Sequence, residues 1–344
     1  MSNQLALILP ALQAELELVK RPIPKPGPGQ LLVKIHSAGL NPLDWTMAGF
    51  GIFIKKFPQV LGSDYAGEVI EVGEGVSGWA KGDRLMHQYI SGSFQQYAAL
   101  PAEFSFKIPA TLSYDVAGTM PTVLSTGFVG LFANSPIGLG LNPTFARNQP
   151  HEGKSALVLG GGSSVGRFVI QQLKFLGFST IVAYASGRHT DYLKSLGATD
   201  IIDRTQSTFE QVSSRFAGQF GVIFDAVSRD GSLDASAACL RSGGVGIVFV
   251  LPIPAEFQER LKQEGKNFVL VSGHIYDLTP EHEAFGRLQV EHVPKLLEEG
   301  LIKGLSVEVL PGGLRGVAGG LERLRKGEVS GIKLVAHPQE TTEA

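Results

Sequence analysis

The chain has 344 residues, 43% apolar and 18% charged, which is enough to fill the cores of two domains. A formal net charge of −2 provides no basic surface for nucleic acid or an anionic membrane. Cys239 is the only cysteine, so an internal disulfide and a cysteine-rich metal site are excluded, and a reducing compartment is compatible.

The first apolar segment, residues 5–12, predicts a buried strand. It lacks the basic start and small-residue cleavage pattern of a signal peptide, contains Pro10 and runs into Glu15. No apolar run is long enough to span a bilayer. We therefore expect a soluble, cytoplasmic protein.

Residues up to about 121 have the pattern of strands and turns. Runs 31–35 and 66–72 are rich in β-forming residues and are bounded by glycine or proline. Prolines alternate through residues 22–28, which forms a stiff connection and excludes a central strand there. Short strands broken by such turns predict a small barrel-like β domain.

Strands and helices alternate after residue 153. We predict strands at 155–159, 180–185, 200–203, 221–226 and 244–251, and helices at 165–176, 191–196, 208–216 and 232–240. This order, with nearly continuous apolar strands, is typical of an α/β fold, a doubly wound parallel sheet covered on both faces. Residues 134–153 form a long loop, and the tail adds helices at 281–299 and 317–326 and a strand at 331–336.

A glycine-rich turn lies between the first of these strands and its helix. Glycines let the backbone approach a pyrophosphate, and the helix N-terminus adds free N–H donors. The spacing falls short of strict G-x-G-x-x-G, but the strand–turn–helix context favours dinucleotide binding over a plain turn. No Gly-Lys-Ser/Thr follows, which disfavours a P-loop. The candidate cofactor-binding residues are Gly160, Gly162, Ser163, Ser164, Val165 and Gly166.

The end of the following strand indicates which cofactor is bound. An NAD-selective enzyme carries an acidic residue there, about 20 residues after the glycines. This chain has Ser186 and Arg188 without an acid, a pair suited to a 2′-phosphate. We predict NADPH; the alternative is an ordinary solvated arginine in a loop.

Several motifs in order resemble the medium-chain dehydrogenase/reductase superfamily, in its quinone oxidoreductase and enoyl reductase branch. They cover nearly the whole chain: residues 38–44, 61–67, 72–76, 82–84, the glycine turn, 196–198 and 326–333. The resemblance implies a GroES-like β-barrel catalytic domain from residues 1–124 and 275–344. It also implies a Rossmann nucleotide-binding domain from residues 125–274.

The zinc-dependent branch of that superfamily has cysteine, His-Glu and cysteine or aspartate at defined positions. Here Asn41 stands in place of the first cysteine and Ser63-Asp64 in place of His-Glu, and the four-cysteine structural lobe is missing. His36, His87 and His274 are scattered single histidines, interpreted as packing or surface residues. We therefore expect no metal, and reduction of an activated C=C bond or a quinone rather than alcohol oxidation.

The resemblance also implies residues around the nicotinamide. Asn41 is a candidate for hydrogen bonding to the substrate carbonyl or cofactor ribose, or else begins an Asn-Pro turn. Thr126 is either catalytic or a helix residue bonded to its own backbone. The remaining candidates are cofactor contacts, with core or surface positions as their alternatives: Thr122, Phe249, Val250, Leu251 and Lys333.

The proton donor is not identified by the sequence. Many enoyl-thioester reductases of the superfamily carry a tyrosine soon after the Asn-x-x-Asp segment. Here Trp45 follows directly and the next tyrosine is Tyr65. Protonation by water or by Tyr65 remains open, with a structural Tyr65 as the alternative.

The leading hypothesis is an NADPH-dependent reductase of enones, quinones or acyl thioesters. The long loop, the missing tyrosine and residues 325–331 resemble fungal trans-acting enoyl reductases, which partner with a polyketide synthase in secondary metabolism. A stand-alone detoxifying quinone reductase and a non-catalytic NADPH-binding protein are the alternatives. A zinc alcohol dehydrogenase would require bound metal. The resemblance allows a monomer or a homodimer.

Overall fold

A computed structural model describes residues 2–88, 92–147, 151–276 and 278–343. Its N-terminal part is mainly β-structure. In chain order the elements are β1 (Asn3–Leu9), β2 (Glu17–Pro22), β3 (Gln30–Gly39), α1 (Pro42–Phe50), β4 (Gln59–Val60), β5 (Asp64–Val72), β6 (Arg84–Gln88), β7 (Tyr97–Pro101), β8 (Ser105–Lys107), α2 (Tyr114–Ala117) and α3 (Pro121–Phe132).

The middle part alternates strand and helix, and the five strands and four helices predicted there have limits within about two residues of those expected. A helix at Ala255–Gln263 and a strand at Phe268–Leu270 are additional to the prediction. Its elements are β9 (Ser155–Leu159), α4 (Ser164–Phe175), β10 (Thr180–Ala185), α5 (Thr190–Leu196), β11 (Asp200–Asp203), α6 (Phe209–Arg215), β12 (Val222–Asp225), α7 (Gly231–Cys239), β13 (Gly246–Phe249), α8 (Ala255–Gln263) and β14 (Phe268–Leu270). The described residues of the 134–153 loop contain neither helix nor strand; residues 148–150 lie outside the described part of the chain.

These six strands pair in parallel in the order β11-β10-β9-β12-β13-β14. This is the 3-2-1-4-5-6 order of a Rossmann fold, and ligands bind such sheets at the carboxyl ends of the strands. Successive side chains of each strand enter opposite cores. In β9, Val158 packs towards α3 and α4, and Leu157 packs towards α6 and α7.

The tail returns to the first part of the fold. It contains α9 (Pro280–Glu298), β15 (Val307–Val309), α10 (Val317–Arg325) and β16 (Lys333–Ala336). β16 pairs with β3 in a sheet of order β15-β16-β3-β5-β6-β8, and β7 also pairs with β3. A separate apolar cluster fills this barrel-like part, which confirms the predicted GroES-like and Rossmann architecture.

The domain limits 1–124 with 275–344, and 125–274, stay a proposal. The first limit falls within α3, which packs on α4. Among the described residues, no helix is both long and apolar enough to cross a membrane.

Candidate active site

The glycine-rich turn joins β9 to α4 at the carboxyl edge of the parallel sheet. Gly160 has φ +76°, a left-handed conformation that glycine adopts without strain, and its N–H donates to Tyr184 O at 3.1 Å. A Cβ on Gly166 would lie 2.4 Å from Gly160 O, so only glycine lets the helix begin this close to the turn. Ser163 caps α4 by accepting from Gly166 N–H at 3.0 Å.

The start of α4 can bind an anion. The N–H groups of Ser164 and Val165 lie in its first turn, where no helical carbonyl is available to them, and the helix dipole adds positive potential. A Cβ on Gly162 would meet only His189 and Ala185, at ordinary contact distances of 3.5 and 3.7 Å. Packing within the protein therefore does not require this glycine, and the space left by it fits a dinucleotide pyrophosphate.

Ser186 and Arg188 lie directly beyond β10. Ser186 precedes a short 3-10 turn, Gly187–His189, which brings the exposed Arg188 beside the glycine-rich turn. Arg188 Nε donates to His189 Nε2 at 3.3 Å, and His189 in turn lies next to Gly162. An exposed guanidinium here can bind a phosphate on the cofactor's ribose.

Arg204 is a second arginine in this area, and the sequence reasoning did not select it. It follows β11, and its N–H donates to Ala185 O at 2.9 Å. Burial lowers the pKa of His189, and the charges of neighbouring arginines, Arg188 and Arg204 among them, lower it further. The signal that could have identified Arg204 is its position at the end of a parallel strand beside the cofactor loop.

A buried polar network lies where the barrel meets α3. Asn41 Nδ2 donates to Asp64 Oδ2 at 2.9 Å, and Asp64 Oδ1 accepts from both the N–H and the hydroxyl of Thr122, at 2.9 and 2.6 Å. Lys333 Nζ donates to Asn41 Oδ1 at 2.6 Å and to Leu40 O at 3.1 Å. Three residues predicted separately are therefore connected: Asn41 bonds directly to Lys333 and, through Asp64, to Thr122.

A second carboxyl group supports this network from α1. Asp44 accepts from Asn41 N–H at 2.7 Å and from the Ser63 hydroxyl at 2.9 Å. Burial raises the pKa of Asp44 to about 7 and also raises the pKa of Asp64. Burial lowers the pKa of Lys333, while Asp64 and Asp44 oppose that change. The Lys333 ammonium group is thus enclosed with the carboxyl groups of Asp44 and Asp64.

These residues do not fit a catalytic zinc ion. Asn41 and Ser63 offer an amide and a hydroxyl where zinc prefers thiolate or imidazole, and the Asp64 carboxylate already accepts three hydrogen bonds. Within the described ranges, no three His, Cys, Asp or Glu side chains are grouped to hold a metal.

Tyr65 and Thr126, two candidates for catalysis, have other surroundings. Tyr65 follows Asp64 in β5, so its side chain points to the opposite face, into the barrel core, with its ring 5.6 Å from that of His87. It is 1% exposed, and a phenol enclosed there does not reach a substrate. The expectation of a Tyr65 acid therefore does not fit its position. Thr126 Oγ1 donates to Thr122 O at 2.7 Å, which is the bond to its own helix backbone given above as the alternative to a catalytic role.

The three candidate cofactor contacts at the end of β13 differ in their burial. Phe249 is fully buried and packs edge-on against Phe257 and Phe268, so its side chain belongs to the core and not to a nicotinamide wall. Val250 is partly buried and Leu251 is exposed. Only these two are positioned to line the carboxyl edge of the sheet.

Asp225, at the end of β12, is a further residue that the sequence reasoning missed. It is fully buried and accepts from Ser228 N–H at 2.8 Å and from the Ser232 hydroxyl at 2.7 Å. Ser228 Oγ accepts from Val250 N–H at 2.8 Å, so one carboxyl group fixes the loops after both β12 and β13. A lone aspartate ending an apolar strand was the available signal.

Two family descriptions match the chain: "Alcohol dehydrogenase GroES-like domain" at residues 27–110 and "Zinc-binding dehydrogenase" at residues 164–269. Dehydrogenase azaJ of Aspergillus niger is 30% identical, covering 97% of this chain and 99% of its own. Trans-enoyl reductase tndF of Aspergillus flavipes is 31% identical, covering 96% and 97%. The quinone oxidoreductase structure from Coxiella burnetii is similar with TM-score 0.76 and 25% identity, covering 97% and 99%.

The chain therefore belongs to the medium-chain dehydrogenase/reductase superfamily, whose members are oxidoreductases that bind a nicotinamide cofactor. Within it, the chain is similar to trans-enoyl reductases and quinone oxidoreductases, which confirms the predicted branch.

Proposed function

We propose that this protein is an NADPH-dependent, zinc-independent reductase of C=C bonds conjugated to a carbonyl group. The main observation in support of this proposal is the hydrogen-bonded network of Asn41, Asp64 and Lys333. Within this network, Asn41 stands where the zinc-dependent branch has its first cysteine, and Asp64 belongs to the pair that replaces His-Glu. Without a Lewis acid at this point, an alkene whose own carbonyl delocalises charge is the more suitable hydride acceptor.

The preference for NADPH rests on Arg188 and Arg204. Each guanidinium can form charge-assisted hydrogen bonds to a 2′-phosphate. The nearby acid, Asp203, already accepts from Gly187 N–H at 3.0 Å and from Thr205 N–H and hydroxyl, each at 2.9 Å. Asp203 ends β11, whereas the acid of an NAD-selective enzyme ends the strand that follows the glycine-rich turn and its helix, which here is β10.

When bound, the cofactor supplies the hydride. The chain's own residues orient the two reactants: the turn at Gly160–Gly166 and the start of α4 hold the pyrophosphate, and Val250 with Leu251 line the nicotinamide side. Asn41 is held by Asp64 and Lys333, so its amide has a fixed orientation. Fixed dipoles of this kind stabilise the charge that develops on a carbonyl oxygen.

The substrate class we propose is an enoyl group, carried as an acyl thioester, with reduction in the cytoplasm alongside a polyketide synthase. Similarity to several trans-enoyl reductases supports this substrate and partner. The second candidate, a stand-alone quinone reductase, is favoured by the similarity to the Coxiella burnetii quinone oxidoreductase.

One assay separates these candidates. Purified protein is mixed with NADPH and, in parallel, with an enone, a quinone and an α,β-unsaturated acyl thioester, and NADPH absorbance is followed. We expect the acyl thioester to be reduced fastest, with NADPH preferred over NADH and no loss of activity after metal chelation. Tight NADPH binding without turnover of any of them would indicate a non-catalytic binding protein, and inactivation by chelation would contradict zinc independence.

A further inference from the structure

The segment after β14 places His274 between the two parts of the fold. A Cβ on the preceding Gly273 would lie 2.2 Å from Thr126 Oγ1 and 2.9 Å from Thr122 O, so this backbone lies tightly against the start of α3. Phe53, from the loop after α1, meets the His274 ring edge-on at 5.4 Å between centroids. His274 is therefore next to the helix turn whose Thr122 joins the buried polar network.

The His274 side chain has one hydrogen-bonding atom in use and one without a partner. Its Nδ1 lies 3.1 Å from the Ser272 hydroxyl, and the same hydroxyl oxygen accepts from His274 N–H at 3.4 Å. Nε2 is buried and has no partner among the described residues, and the residue is 7% exposed. A buried polar atom left unpaired is costly, and a ligand group that pairs with it removes that cost.

The environment keeps this imidazole neutral. Burial, with a smaller contribution from the charge of His282, lowers the pKa of His274 to about 4. Since the Ser272 hydroxyl oxygen already accepts a backbone N–H, its hydrogen is free to be donated to Nδ1. The proton of the neutral ring then lies on Nε2, which makes this atom a hydrogen-bond donor.

We propose that His274 Nε2–H donates a hydrogen bond to the carbonyl oxygen of the substrate and thereby stabilises the enolate. This role rests on the proposed function. The hydride from NADPH forms a C–H bond at the β-carbon, the C=C electron pair moves towards the carbonyl, and negative charge collects on its oxygen. The α-carbon then takes a proton from water, leaving the reduced carbonyl compound and NADP⁺. His274 keeps its proton throughout, and Ser272 is a positioning residue.

The first test needs no turnover. Histidine-selective ¹⁵N NMR of the whole protein, with the His274 signals assigned by their loss in His274→Gln, reports which ring nitrogen carries the proton. A neutral ring protonated at Nε2 at pH 7 is expected, and Ser272→Ala should allow both tautomers to be populated. Protonation at Nδ1 alone in the wild type would overturn the proposal.

The second test compares kinetics in variants. Removing one donor to a developing oxyanion lowers kcat about 100-fold or more, so His274→Leu should lose that much with an unchanged NADPH dissociation constant. His274→Gln, whose amide N–H can take the place of Nε2–H, should recover at least tenfold of the loss. His151→Leu is the control, because His151 is a similarly buried histidine that bonds to Leu141 O.

Two outcomes would refute the role of His274 while leaving the reductase activity in place. One is a kcat of His274→Leu within threefold of the wild type, and the other is an equal loss of kcat in the Leu and Gln variants. A wild type that reduces no conjugated carbonyl compound would instead contradict the proposed function itself, and the NMR result would still be readable.

Discussion

Replacing Asp44 with Asn should make the protein more stable at neutral pH, which is unusual for a fully buried, hydrogen-bonded residue. Burial raises the pKa of Asp44 from 3.8 to about 7, so ionising it in the folded state costs free energy. In the variant, the Asn oxygen can accept from Asn41 N–H and its NH₂ can donate to Ser63 Oγ, because a hydroxyl can reverse its role.

The sign and size of this stability difference follow from the linkage between protonation and folding. A group whose pKa is raised on folding contributes stability that is complete below the unfolded pKa and is lost as pH rises through the folded one. For Asp44 this loss spans pH 4 to pH 7. One pKa unit is worth about 1.4 kcal/mol, so the free energy of unfolding of Asp44→Asn should gain about 4 kcal/mol over the wild type across that interval.

Urea unfolding at steps from pH 4.5 to pH 8 measures this difference. Trp45 and Trp79 are the only tryptophans, and both lie in the barrel-like part, so their fluorescence reports on the region around Asp44. Asp83→Asn is the control: Lys107 lowers the pKa of Asp83 below its usual 3.8, so this carboxyl is ionised in the folded and unfolded states across the assay range and its difference from the wild type should stay nearly constant. A difference between Asp44→Asn and wild type that stays constant or falls as pH rises would refute the reasoning.

Three further predictions concern the cofactor site and the core. Arg188→Ala should weaken NADPH binding about tenfold or more and NADH binding little, by fluorescence titration; equal losses would contradict the 2′-phosphate assignment. Gly162→Ala should weaken NADPH binding without changing Tm, whereas Gly166→Ala should lower both, because its Cβ would lie 2.4 Å from a backbone oxygen. Phe128 is fully buried, so Phe128→Ala should lower the free energy of unfolding in urea by about 3–5 kcal/mol. Phe50 is 70% exposed, so Phe50→Ala should lower it by less than about 0.5 kcal/mol; similar losses in the two variants would contradict this assignment of the core.

The parallel sheet was predictable from the sequence because its signals are local. The strand β9 is a short apolar run, the helix α4 that follows it has a serine cap and an apolar stripe, and the turn at Gly160 has its own glycines. Helix α3 gave no such signal, since it is buried on nearly every side and has no polar face. Its Gly127 and Gly130 suggest turns, yet their Cβ atoms would meet Gln172 and Val248, so they allow close packing.

The site was only partly predictable, because its groups come from distant parts of the chain. Asn41 and Lys333 are 292 positions apart, and only the fold brings them to 2.6 Å. The family resemblance gave both residues as site candidates, but it named Asp64 only as part of the pair that replaces His-Glu and not as the group that connects Asn41 to Thr122. His274 was interpreted as a packing residue because a single histidine has no pattern, and its unpaired Nε2 is visible only in three dimensions.

The position of β16 in the chain also sets an order for synthesis on the ribosome. The six parallel strands are complete once residue 270 has emerged, whereas β3 receives its neighbour β16 only from residues 333–336. Until then Asn41 lacks the Lys333 ammonium group, and Arg167 of α4 lacks the Gly331 carbonyl to which its Nη1 donates at 2.6 Å. The nucleotide-binding half is therefore free to form first during translation, and the reaction centre is assembled last.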